Sequence, residues 1–299
     1  MPVLVVGSIA LDTIQTPFGR AENVLGGSAT YFSLAAGLLD RVRLVGVVGE
    51  DFPDGYRQVF AKRGVDTAGL LVAAGKTFRW AGAYRGAMNE AETLAVELNV
   101  FGTFRPQVPE AYADSQYVFL ANGSPSVQLA VRRQLPSAEL VVCDTMNFWI
   151  QNSREELTSL LGEVDGLVLN DQEARMFAGS DGLVECGRRV LDMGPRFVVI
   201  KKGEHGSLLI AAEGVCALPA YPTADVKDPT GAGDSFAGGM MGCIAVTGDA
   251  SYAGLKRAIG YGTAVASLTV EGFGTAGLES ADRQDVEARY QSLREMLRF

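Results

Sequence analysis

Residues 228–239 read Asp228-Pro229-Thr230-Gly231-Ala232-Gly233-Asp234-Ser235-Phe236-Ala237-Gly238-Gly239, and an uncharged run of small residues follows to about Val246. This pattern predicts a helix whose first turn is almost bare of side chains. The leading N–H groups of a helix have no intrahelical acceptor, and the helix dipole adds positive potential there. With Gly231, Ala232 and Gly233 at that point, the backbone is open to an anion such as a phosphate. Asp234 stands one residue further in. A carboxylate beside an anion hole is electrostatically awkward unless a proton or a metal is involved. Its best use is to take a proton from a hydroxyl whose oxygen attacks phosphorus, while the amides stabilise the charge in transit. The plainer use is helix capping, since Asp is common in first turns.

The chain around this turn alternates short apolar runs with longer helical stretches. Val3–Val6, Leu44–Val48, Tyr117–Leu120, Leu140–Cys143, Leu167–Leu169 and Phe197–Ile200 are rich in β-branched residues and read as buried strands. Amphipathic segments such as Glu155–Leu161 and Val184–Leu191 lie between them. That alternation predicts a parallel sheet with helices on both faces and ligands at the carboxyl ends of its strands. Thr77–Tyr84 and Thr93–Asn99 read as two further strands, a hairpin or small sheet projecting from the main body, with two more edge strands as the alternative. After Cys216 the chain reads mostly helical.

Composition narrows the function. The 299 residues are 47% hydrophobic and 20% charged, with a net charge of −9. An acidic chain has no general attraction for phosphate backbones or anionic lipid, which argues against nucleic-acid and membrane-surface roles. The longest uncharged stretches, Asn23–Leu39 and Ser115–Val131, are broken by Gly, Ser and Asn and fall short of the roughly 20 apolar residues of a span. Met1–Val6 lacks the basic region of a signal peptide. The four cysteines, Cys143, Cys186, Cys216 and Cys243, contain no CxxC pair, so the expectation is a soluble, cytoplasmic protein in a reducing compartment. His205 is the only histidine, so acid–base work falls to carboxylates or lysine.

The whole run Asp228–Gly239 resembles the C-terminal motif of the ribokinase-like (PfkB) carbohydrate kinases. The resemblance runs in family order from Asp12 to Gly274. It implies an α/β fold: a three-layer α/β/α sandwich with a mainly parallel central sheet and a small β lid. The chain, 1–299, would be a single kinase domain, with the lid at about Thr77–Asn99 and part of Thr13–Val24. By this resemblance Asp234 is the catalytic base, and the amides of Gly231, Ala232 and Gly233 form the anion hole.

Other positions agree with the family. Asp12 falls just beyond the first strand, where the family places a sugar-binding Asp; a turn residue is the alternative. Gly26-Gly27 opens a small-residue helix running to Leu39 and resembles the family's N-terminal glycine pair. The family's Asn four residues on is here Tyr31, which would stack on a ring or base or pack in the core. Asn122 and Gly123 follow one strand, and Asp144 and Asn147 follow another, as pocket residues; where ribokinase has an acidic substrate contact this chain has Gly123. Asn170 and Glu173 resemble the NxxE motif that holds water around Mg²⁺. Lys202, Gly203 and Gly206 resemble the nucleotide-side strand end that meets ATP, and Gly272 lies in the loop near the base. Asp228 and Thr230 would lend carbonyls to a monovalent cation, K⁺, as in several relatives.

The resulting expectation is transfer of the ATP γ-phosphoryl group to a hydroxyl of a sugar, nucleoside or polyol. A phosphorylated sugar would call on Arg79, Arg85 or Arg105; Phe78, Trp80 and Tyr84 would stack on a base or pack the hairpin. A non-catalytic sensor on the same fold is the alternative, disfavoured by the presence of Asp234. A homodimer through the lid follows from the resemblance. Competing motifs fail: Gly75-Lys76-Thr77 has Leu70 where a Walker A loop needs its first Gly, and Gly7-Ser8-Ile9 is no dinucleotide fingerprint.

Overall fold

The computed structural model describes residues 1–86, 88–89 and 91–298. Its strands are β1 (Val3–Val6), β2 (Ala10–Thr16), β3 (Gly19–Gly26), β4 (Val42–Gly49), β5 (Val65–Ala73), β6 (Phe78–Tyr84), β7 (Ala91–Glu97), β8 (Tyr117–Leu120), β9 (Leu140–Asp144), β10 (Gly166–Asn170), β11 (Phe197–Lys201), β12 (Ser207–Ala211) and β13 (Gly214–Leu218). Nine of them form one sheet in the order β13-β12-β11-β10-β9-β8-β1-β4-β5. From β11 to β5 neighbouring strands run parallel; β12 and β13 add an antiparallel edge.

The apolar runs form central strands because both faces are covered. In β1 the alternation of side chains sends Val3 and Val5 to one core and Leu4 to the other. The first core holds the helices Ser28–Ala36, Ala232–Thr247 and Tyr252–Thr269. The second holds Arg154–Leu161, Asp171–Ala178 and Leu183–Leu191. Phe32 stacks on Phe119 of β8 at 4.5 Å, so the helix Ser28–Ala36 lies flat on the sheet. Small residues let Ala232–Thr247 approach that helix closely. A Cβ on Gly238 would stand 2.5 Å from the Phe32 carbonyl oxygen.

The second sheet has the order β3-β2-β6-β7. The expected hairpin is present as antiparallel β6 and β7, and the sheet also takes in β2, parallel to β6. Its N-terminal portion therefore begins at Ala10, ahead of the expected Thr13. The helix opened by the glycine pair ends at Ala36, before Leu39, because Gly37 caps it and the amides of Leu38 and Leu39 turn back to Ala35 and Ala36. β5 and β12–β13 were not anticipated. β5 is a half-exposed edge carrying Asp66, Thr67 and Gly69, so its apolar pattern is diluted. No helix among the described residues is long and apolar enough to cross a membrane.

Candidate active site

Gly231 precedes the helix Ala232–Thr247 in the left-handed conformation, φ 72°, which favours glycine. The Ala232 amide donates to the Pro229 carbonyl at 3.1 Å. This corrects the expectation of three free amides: of these three, Gly231 and Gly233 have no backbone acceptor among the described residues. The turn is braced from behind by Asp228, which is fully buried. Its carboxylate accepts the Thr230 amide at 2.9 Å and the Gly274 amide at 2.8 Å. The Lys227 amide donates to the Val270 carbonyl at 2.8 Å. Asp228 thus ties the anion turn to the loop carrying Gly272, which packs on Gly277.

Asp234 sits in the first turn of the helix and is half-buried. The protein packed around its carboxyl pushes its pKa up to about 6, against the opposing pull of Lys201. Asp12 lies beyond β1 as expected, within β2 of the second sheet and not in a turn, the alternative reading, and is 3% exposed. Its pKa is pushed up to about 7, first by burial; the Gly27 amide opposes this, and Asp234 and Asp228 add to it. Gly26 makes room for this carboxylate, and Gly27 makes room for the backbone of residues 8–10. A Cβ on Gly26 would stand 1.9 Å from Asp12 Oδ2, and one on Gly27 would stand 2.6 Å from the Ser8 carbonyl oxygen. Asp12 Oδ1 is buried with no hydrogen-bond partner. A buried acceptor left unmade costs about 1–3 kcal/mol, so this oxygen is suited to a donor from a ligand.

Asn170 and Glu173 join the same site and form a reciprocal cap on the helix Asp171–Ala178. Asn170 Oδ1 accepts the Glu173 amide at 2.8 Å, and Glu173 Oε2 accepts the Asn170 amide at 2.7 Å. Asn170 and Lys201 are register partners at the ends of parallel β10 and β11. Lys201 influences the carboxyls of Asp144, Glu173 and Asp234 together. Lys202, the lysine singled out from sequence, heads the turn Gly203–His205 instead, and its amide donates to the Gly206 carbonyl at 2.7 Å. The shift of one residue follows from the strand: β11 runs through Lys201, and neighbours in a strand point to opposite faces. Gly206 has φ 82°, and a Cβ there would stand 2.0 Å from the Leu218 carbonyl oxygen. Gly203 faces Asn89, whose Nδ2 donates to Glu204 Oε1 at 2.9 Å. The end of the β6–β7 hairpin therefore touches the loop after β11.

Asp144 and Glu173 are both buried, and burial raises both pKa values. Asp144 Oδ1 has no partner. Hard oxygen donors in a site with one lysine suit Mg²⁺, with Asn170 and Glu173 able to hold its waters. Gln128 was missed in the sequence because it lies on an amphipathic helix and reads as a surface residue. It is buried, and its Nε2 donates to the carbonyls of Leu120 at 2.8 Å and Asp144 at 3.1 Å, joining β8 to β9.

Tyr31 is 1% exposed and packs in the core, the second of its two expected uses. Its hydroxyl is buried without a partner. Asn122 accepts the Trp149 indole N–H at 3.1 Å beside a cavity of about 120 Å³. Leu98, Phe101, Phe104, Val127 and Trp149 line it, so its wall is chiefly apolar. Arg79 is paired with Asp51 at 2.8 Å and Arg85 with Glu92 at 3.2 Å. Arg105 donates to the adjacent Phe104 carbonyl. Trp80 folds over Gly82 within the second sheet, while Tyr84 stands beside Asp12, Asp228 and Asp234.

The chain is 28% identical over 248 residues to a cytidine kinase of Thermococcus kodakarensis, covering 81% of this chain and 87% of that protein. It is 29% identical over 292 residues to a nucleoside kinase of Methanothermobacter thermautotrophicus, covering 91% and 90%. Its fold matches the crystal structure of aminoimidazole riboside kinase from Salmonella enterica complexed with aminoimidazole riboside and an ATP analogue. That match has a TM-score of 0.78 at 21% identity, over 97% of this chain and 100% of the other. Residues 3–281 match the model of the pfkB family carbohydrate kinases, and the chain belongs to that family.

Proposed function

We propose that this kinase transfers the γ-phosphoryl group of ATP to a hydroxyl of a nucleoside or similar riboside. The observation that carries the reading is Asp234 in the first turn of the helix Ala232–Thr247, between the unpartnered Gly233 amide and the Asp12 carboxylate that feels its charge. Asp12 Oδ1 accepts a hydrogen bond from one acceptor hydroxyl and so orients the next. As that second oxygen attacks phosphorus, its proton passes to an Asp234 carboxylate oxygen. The bond from phosphorus to the bridging oxygen breaks, and its electron pair leaves with ADP. The amides of Gly231 and Gly233 donate to the phosphoryl oxygens in transit. Mg²⁺, when bound through water at Asn170 and Glu173, supplies charge neutralisation for the phosphates.

The riboside acceptor is supported by the relatives, which phosphorylate cytidine, nucleosides and aminoimidazole riboside by name. The pairing of Arg79 and Arg85 with carboxylates argues against those two arginines holding a phosphorylated acceptor. A non-catalytic sensor would need neither Asp234 nor its neighbouring amides.

Residues 1–299 act as one kinase domain in this reading. The sheet β3-β2-β6-β7 is its lid, and closure excludes water so that ATP is not hydrolysed. Gly203, Gly206 and Gly272 line the nucleotide side. K⁺ would take the carbonyls of Asp228 and Thr230. β7 is exposed throughout, including Leu94 and Val96, and two lids pairing along it would make a homodimer. A cytoplasmic location accords with the free cysteines. The test is ADP release with Mg-ATP across nucleosides, free sugars, sugar phosphates and inositols. Stimulation by nucleosides far above free ribose supports the reading; stimulation by a sugar phosphate alone contradicts it.

A further inference from the structure

Resting on that kinase reading, we infer that Lys201 is a catalytic residue whose ammonium binds the phosphoryl group in transit beside the Gly233 amide. The Lys201 Nζ lies over the missing side chain of Gly233: a Cβ on that glycine would stand 2.6 Å from it. Gly233 thus keeps an amide open and leaves room for a cation at the same point. Lys201 is half-buried at the carboxyl end of β11. The carboxyls of Asp144, Glu173 and Asp234 all respond to its charge. Yet no carboxylate among the described residues lies within 4.0 Å of it.

That combination separates two uses of the lysine. A cation that served only to neutralise nearby acids would close a contact pair with one of them, as Arg79 does with Asp51 at 2.8 Å. Lys201 stands instead over the anion turn with its three N–H donors uncommitted among the described residues. A nucleoside triphosphate brings several negative charges into a site that already holds Asp12, Asp144, Glu173 and Asp234. In a loose phosphoryl-transfer transition state the charge lies on the three equatorial oxygens, and the protein's main contribution is position and charge. A compact ammonium on a flexible stem can follow that group from donor to acceptor.

The test compares Lys201→Met and Lys201→Arg with the wild type, by turnover and by calorimetric binding of ADP and of the β,γ-imido analogue of ATP. The expected result for Lys201→Met is a loss of turnover on the order of 100-fold or more. Its affinity for the imido analogue should fall at least about 10-fold further than its affinity for ADP, a discrimination that a structural role would not produce. Lys201→Arg should recover part of both. Turnover of Lys201→Met within about threefold of wild type, or equal losses for the two nucleotides, overturns the inference. Should Lys201→Met not fold, Gly233→Ala displaces the same ammonium without removing it and should show the same discrimination. A wild-type protein that phosphorylates nothing yet shows Lys201-dependent preference for the triphosphate analogue would sink the kinase reading and leave the phosphate contact standing.

Discussion

The ring of Tyr31 is the floor on which Gly231 rests: a Cβ on Gly231 would stand 2.2 Å from Tyr31 Cγ. Gly231→Ala therefore meets both a ring that cannot withdraw and a φ of 72° that strains any side chain. The expected outcome is a loss of turnover of at least about 10-fold, as the anion turn is displaced. Tyr31→Phe should be mild, within about 1 kcal/mol, because the hydroxyl it removes is buried without a partner. Tyr31→Ala should cost about 3–5 kcal/mol by leaving a cavity under the turn. Thermal melts and steady-state rates on the three variants check the ordering.

Gly26→Ala is a test of the acceptor side alone. Its Cβ would collide with the Asp12 carboxylate at 1.9 Å and turn it away from the cleft. The KM for the acceptor should rise by about 10-fold or more while the KM for ATP changes little. Equal effects on both substrates would place Asp12 outside the acceptor site.

The raised pKa values of Asp234 and Asp12, about 6 and about 7, set two opposite pH dependences. Activity needs Asp234 ionised, so kcat/KM should fall as pH drops through about 6. Stability moves the other way. Asp12 has a folded pKa above its unfolded 3.8, so between about pH 4 and 7 the folded state holds more protons than the unfolded. Stability from this group is present at low pH within that window and is lost as pH rises through about 7. Asp12→Asn, which keeps an acceptor for the Gly27 amide, should raise Tm by a few degrees at pH 8 and by less at pH 5. A variant less stable than wild type at pH 8 would contradict the desolvation of Asp12.

Glu173→Gln separates the charge of the NxxE motif from its cap. Glutamine preserves the reciprocal bonds with Asn170, so the helix Asp171–Ala178 should keep its stability within about 0.5 kcal/mol. The Mg²⁺ concentration for half-maximal rate should rise several-fold. An unchanged Mg²⁺ dependence would reduce Glu173 to a capping residue.

Much of the fold was legible because buried parallel strands write themselves as short branched runs, and Val3–Val6 and Tyr117–Leu120 have the predicted bounds. β5 and the β12–β13 edge were not, because strands with an exposed side mix polar residues and glycine into the run. The glycines of the site were legible at Gly26, Gly27 and Gly231, where small size and a special backbone are needed locally. Lys201 was not. Local sequence offers two adjacent lysines, and only the pairing of β10 with β11 decides which of them stands opposite Asn170. Tyr31 shows the same limit: its position in the helix was clear, but its contact with Gly231 joins residues 200 positions apart.

The central claim is that Asp234 removes the acceptor's proton. Single-turnover transfer of the γ-phosphoryl group to a nucleoside acceptor, comparing Asp234→Asn with the wild type, tests it most directly. The account predicts a loss of at least roughly 100-fold in the transfer rate with nucleotide and acceptor still bound. A transfer rate for Asp234→Asn within a few-fold of wild type would contradict it.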